Sequence, residues 1–175
     1  GVIPLKNGIQ KINLNKETMK KQIIVIHGGT IFNTYEEYIS YLKNKDVNAE
    51  DFKTRKDWKS SLEKELGTDF EIFTPRMPNK TNVRYEEWKI WFERMIPFLN
   101  NDATFIGHSL GGIFLAKYFS ENLFPKKIKA AFLIAAPFYD ENSKEFPRDT
   151  LPLSLEKFTK QVEKIYLLHS EDDPV

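Results

Sequence analysis

The chain has 175 residues, 41% hydrophobic and 14% aromatic, with a formal net charge of +1. These values suit one globular domain, exclude the disordered class, and give no bias toward nucleic acid or acidic partners. With no cysteine, disulfides and thiolate metal sites are excluded, and the three histidines, His27, His108 and His169, show no ligand spacing.

Residues 1–18 mix Lys, Asn and Ile without a period. They read as an N-terminal extension or as an arm lying on a domain that spans 19–175. No charged segment followed by an apolar one opens the chain, and no apolar run approaches a membrane span. A cytoplasmic protein without membrane contact is therefore the default expectation. Ile23-Ile24-Val25-Ile26 is a short β-branched run ending at His27-Gly28-Gly29, as expected of a strand buried on both faces. Tyr35, Tyr38, Ile39 and Leu42 recur at helical spacing. Residues 43–57 read as a surface loop or a short exposed helix. Trp58, Leu62 and Leu66 predict a helix stopped by Gly67.

Phe70 to Phe73 predicts the second strand, and Pro75 and Pro78 force a loop after it. Tyr85, Trp88, Phe92 and Met95 predict an amphipathic helix closed by Pro97, with the tryptophans Trp88 and Trp91 assigned to the core. Ala103 to Ile106 is a third strand, and Ile113 to Phe119 a largely buried helix. Ala130 to Ala135 is a fourth strand. Residues 137–152 read as a long loop or partial cap. Leu155, Phe158 and Val162 suggest a helix, and Ile165 to Leu168 a fifth strand. Strands alternating with helices predict a mostly parallel sheet in an α/β/α sandwich.

Between the third strand and its helix stands Gly107-His108-Ser109-Leu110-Gly111, the pattern G-x-S-x-G in its required context. The backbone must reverse sharply there, so a side chain at Gly107 or Gly111 would collide with neighbouring backbone. The turn lifts the Ser109 hydroxyl above the sheet and aims the Leu110 N–H at the same point, an arrangement suited to a developing oxyanion. The alternative is a glycine-bounded turn with an incidental serine.

The chain resembles the α/β-hydrolase superfamily. More narrowly it is similar to the small serine hydrolases related to retinoblastoma-binding protein 9 and the bacterial YdeN-like proteins. The segments that carry the resemblance are His27-Gly28-Gly29, Pro75-Arg76-Met77-Pro78-Asn79, residues 107–112 and Ser170-Glu171-Asp172-Asp173-Pro174. It implies a second oxyanion donor from the N–H of Gly29 or Thr30, and a structural role for His27. It implies Asp173, ahead of Asp172, as the acid that orients a catalytic imidazole; Asp140 is the weaker candidate. The implied substrate is a small ester, cleaved through an acyl-enzyme with no cofactor and no metal. The alternative is a pseudoenzyme on the same scaffold that binds a protein partner.

The resemblance also implies a catalytic histidine after one further strand and helix, and none of the three histidines matches it. His108 lies inside the turn and His169 ends the fifth strand. Three explanations are open. The C-terminal part is missing, another chain supplies it, or the protein is a pseudoenzyme. A missing part is the expectation, and with it an inactive chain as it stands.

Overall fold

The computed structural model describes residues 19–53, 58–136 and 152–170. Its centre is a five-stranded, all-parallel sheet in the order β2-β1-β3-β4-β5. The strands are β1 (Lys21–Ile26), β2 (Phe70–Phe73), β3 (Ala103–His108), β4 (Ile128–Ile134) and β5 (Val162–Leu168). Apolar, β-branched β1 is buried from Gln22 through Ile26, as a strand covered on both faces must be. The helices are α1 (Tyr35–Asn44), α2 (Leu62–Leu66), α3 (Tyr85–Met95), α4 (Leu110–Glu121) and α5 (Glu156–Gln161). None of those described is long and apolar enough to cross a membrane.

The core lies between the sheet and α3, α4 and α5. β3 alternates strictly, with Ala103, Phe105 and Gly107 buried and Thr104, Ile106 and His108 half-buried. Phe105 points to the helices, 5.8 Å from Phe92 of α3 and 5.1 Å from Phe119 of α4 between ring centres. Phe119 stacks in turn on Phe158 of α5. The period of two therefore sends His108 to the opposite face. There Trp58, from the 3-10 turn Trp58–Ser61, meets its ring edge-on at 6.3 Å.

Four sequence expectations need correction. Val162 is not helical: it opens β5 directly after Gln161 and pairs with Ile128. A single buried apolar residue fits helix and strand spacing alike, and the ladder to β4 decides. β4 stops at Ile134, because Ala135 turns away with φ of 46°. Pro97 does not end its segment abruptly, since a 3-10 turn, Ile96–Phe98, follows α3. Trp91 is not core: it is 47% exposed, whereas Trp88 and Phe92 are fully buried. Helix α1 forms as expected, with the Thr34 and Glu37 side chains capping its first turn reciprocally, but it buries no residue completely.

Candidate functional site

The order of the strands places the site. The chain passes from β1 outward to β2, then returns across β1 to β3, so the direction of winding reverses between β1 and β3. A crevice opens at the carboxyl ends of the two strands that flank such a reversal. Here those ends are His27-Gly28 after β1 and His108-Ser109 after β3. Their register brings Ile26 opposite Gly107.

Ser109 sits between β3 and α4 with φ 52° and ψ −125°, a left-handed φ that side chains rarely adopt. Three backbone bonds hold it. Its N–H donates to the Ile134 carbonyl at 2.8 Å, and its carbonyl accepts from Gly112 at 2.8 Å and Ile113 at 3.4 Å. The glycines fit for the reason expected. A Cβ on Gly107 would stand 2.5 Å from Gly112 Cα, and one on Gly111 would stand 2.4 Å from the Ile26 carbonyl oxygen. The Ser109 side chain does not cap the helix it precedes. Leu110 is the first helical residue, and an N–H there has no acceptor within its own helix.

Facing Ser109 across the crevice is Gly28, where a Cβ would lie 3.1 Å from Ser109 Cβ. The sequence marks Gly28 as part of the loop after β1 and assigns it no role at the site; the structure sets it directly against Ser109. Gly29 packs away from the crevice, and a Cβ there would meet Val83 at 2.6 Å and the Lys80 carbonyl at 2.7 Å. The Thr30 N–H donates to the Lys80 carbonyl at 2.9 Å, and the Thr30 carbonyl accepts from Val83. The Thr30 amide is thus engaged by the loop after β2.

His27 braces this loop. One ring nitrogen, Nε2, accepts from the Met77 N–H at 3.0 Å, so the proton resides on Nδ1, which donates to the Gly28 carbonyl at 2.7 Å. The imidazole thereby ties the loop after β1 to the loop after β2, and its ring lies edge-on to Trp88 at 5.5 Å. Trp88 Nε1 donates to the Pro78 carbonyl at 2.7 Å and closes the brace. In His27→Ala the Met77 amide loses its acceptor, at a cost of about 1–2 kcal/mol. Hydrogen exchange at Met77 is expected to accelerate by roughly tenfold. Unchanged protection would show that the brace carries no load.

A small hollow adjoins the crevice, lined by Ile31, Val83, Tyr85, Trp88, Leu110 and Phe114 with no polar surface. Its free volume is about 20 Å³. Tyr85 turns its hydroxyl to Glu121 at 3.0 Å. Burial, followed by the Glu121 carboxylate, pushes that phenol well above its ordinary range, so it remains a neutral donor.

Among the described residues no group of three His, Cys, Asp or Glu could hold a metal ion. Asp140, Asp172 and Asp173 lie outside the described residues, as do 1–18 and most of the expected cap at 137–152. The strand that precedes the acidic segment is nonetheless placed. The Ala135 N–H donates to the Leu168 carbonyl at 2.8 Å, so the tip of β5 is joined to the tip of β4, as β4 is joined to Ser109.

The family profile described as serine hydrolase matches residues 51–175. The chain belongs to the serine hydrolase family. The ydeN gene product of B. subtilis has the same fold as this serine hydrolase. Its TM-score is 0.54 at 16% identity, covering 89% of this chain and 74% of that one. A protein of Lactobacillus plantarum WCFS1 described as a cell surface hydrolase aligns with a TM-score of 0.47 at 12% identity, covering 89% and 84%. No curated protein matches the hydrolase by sequence.

Proposed function

We propose that this serine hydrolase transfers a short acyl group from a carboxylic ester to water through Ser109. The observation that carries the reading is the backbone of Ser109. A residue with a left-handed φ, held by three backbone bonds, sets its Cβ at the N-terminus of α4 and against the loop at Gly28. In this reading Ser109 Oγ attacks the acyl carbonyl. The N–H groups of Leu110 and Gly29 receive the negative charge that develops on oxygen, each worth about 3–4 kcal/mol in the transition state. The alcohol leaves, and water then releases the acyl group from the serine.

The proton acceptor is an imidazole oriented by Asp173 from the segment after β5. His27 is ill suited to that task, because both its nitrogens are engaged by backbone. The His108 ring meets Trp58 edge-on, and its Nδ1 lies 3.4 Å from the point where a Cβ on Gly28 would stand. The reading takes as its base an imidazole other than these two.

The hollow beside Leu110 sets the acyl size. A space of about 20 Å³ holds roughly one or two carbon atoms, since one water needs about 10–15 Å³. p-Nitrophenyl acetate, butyrate and octanoate test this. Acetate is expected to react at least about tenfold faster than octanoate, with a transient acetyl adduct on Ser109 seen by intact mass. Turnover that survives in Ser109→Ala would overturn the reading. Equal rates along the series would overturn only the size limit.

A further inference from the structure

A second concavity lies on the flank of the edge strand β2, with β1 standing between that strand and Ser109's own β3. It is a groove of about 400 Å³, within the range of small-molecule sites. Phe73 and Arg76, where the chain leaves β2, form one wall. Trp91, Arg94 and Met95 of α3 and Phe98 after it form the other. The second wall follows from helical spacing, because positions 91, 94, 95 and 98 fall on one stripe.

Two properties of the groove run against a purely structural role. The first is exposed aromatic surface. Trp91 is 47% exposed and Phe98 70% exposed, one step around the helix from the fully buried Trp88 and Phe92. Large rings left in water contribute little to folding, and clustered ones mark binding surfaces.

The second property is charge. Among the described residues neither the Arg76 nor the Arg94 guanidinium has an ion pair or a hydrogen bond. Of the carboxylates on the same two elements, Glu71, Glu87 and Glu93 each accept a hydrogen bond, and neither they nor Glu86 line the groove. Glu71 accepts from Gln22, Glu87 from Asn79 and Glu93 from Tyr118. The groove thus presents two guanidinium groups over an aromatic floor, with no carboxylate among its lining residues to compete.

From this juxtaposition we infer a binding site, separate from the Ser109 crevice, for a small amphipathic carboxylate. The carboxylate pairs with Arg76 and Arg94, and a flat or acyl body lies on Trp91 and Phe98. A guanidinium matches a carboxylate with two parallel hydrogen bonds, and the indole and phenyl faces cover the apolar remainder. The volume favours a single small molecule over a folded partner, which needs an interface several times larger.

The test uses 2-naphthoate and its uncharged analogue 2-naphthamide, read by the indole N–H signals of Trp58, Trp88 and Trp91 in NMR. Naphthoate is expected to shift the Trp91 signal saturably, at least about tenfold more tightly than naphthamide. The double variant Arg76→Gln/Arg94→Gln is expected to weaken naphthoate by at least tenfold and leave naphthamide unchanged. Its unfolding midpoint and the reactivity of Ser109 should remain those of the parent, since both side chains are exposed and have no hydrogen bond or ion pair to lose among the described residues. Equal binding of the two probes would overturn the inference. So would undiminished naphthoate binding in the double variant, a shift confined to Trp58, or no shift up to 5 mM probe, the last concentration being on the order of a weak small-ligand Kd. None of these outcomes bears on Ser109, whose reactivity is measured separately.

Discussion

In a form that carries the catalytic imidazole, Ser109→Ala is expected to lose covalent reaction with a fluorophosphonate by about 10³-fold or more, while its unfolding midpoint stays within about 2 °C of the parent. The large effect follows from the nucleophile, since no other hydroxyl shares the junction of β3 and α4. The small effect on stability follows from the hydrogen bonds. Ser109 is held through its N–H and its carbonyl, and its side chain does not cap the helix, so deleting the hydroxyl removes none of the bonds that define the turn. Alanine keeps the Cβ and therefore the same backbone strain. Intact mass of the labelled protein decides the matter. An adduct of undiminished yield in Ser109→Ala would place the reactive group elsewhere and end the proposed mechanism.

Gly111→Ala carries the largest expected cost in stability. The new methyl group would sit 2.4 Å from the Ile26 carbonyl oxygen and 2.7 Å from that of His27. Both are backbone atoms of the central strand β1 and its exit, so no side-chain rotation relieves the contact. Either α4 lifts from the sheet or β1 bends. A cost of about 3–5 kcal/mol is expected, above the usual range for overpacking because the obstacle is backbone. At about 2–4 °C per kcal/mol for a chain of this size, the midpoint falls by roughly 10 °C. Gly67→Ala is the control. It has open space around it and strains only its own backbone, whose φ of 79° and ψ of −172° suit glycine alone, so about 1–3 kcal/mol is expected. Thermal unfolding that ranks the two variants equally would mean that the close approach of α4 to β1 does not limit the fold.

The architecture was legible where one signal dominated. β1 and β2 stand where their apolar runs placed them, because a continuous run between turn residues has few alternatives. The Ser109 turn was legible because two glycines at fixed spacing answer a steric demand that the contacts at Gly107 and Gly111 reproduce. Pattern failed where two periods agree. Val162 suits a helix beginning near Leu155 as well as a strand, and only the pairing with Ile128 separates them. Trp91 misled because aromatic character suggests burial, while the helix turns it about 60° away from Trp88. The loop after β1 was half legible. Its glycines mark close approach, but which N–H remains available depends on the Lys80 carbonyl, a partner fifty residues downstream that no local pattern announces.

The two bonds that link the strand tips, Ser109 to Ile134 and Ala135 to Leu168, fix a gauge. Adjacent strands lie about 4.8 Å apart, so the end of β5 stands about 10 Å from that of β3. The segment that leaves β5 therefore starts at a fixed span from the serine, set by the ladder bonds of three strands and by no side chain at either end.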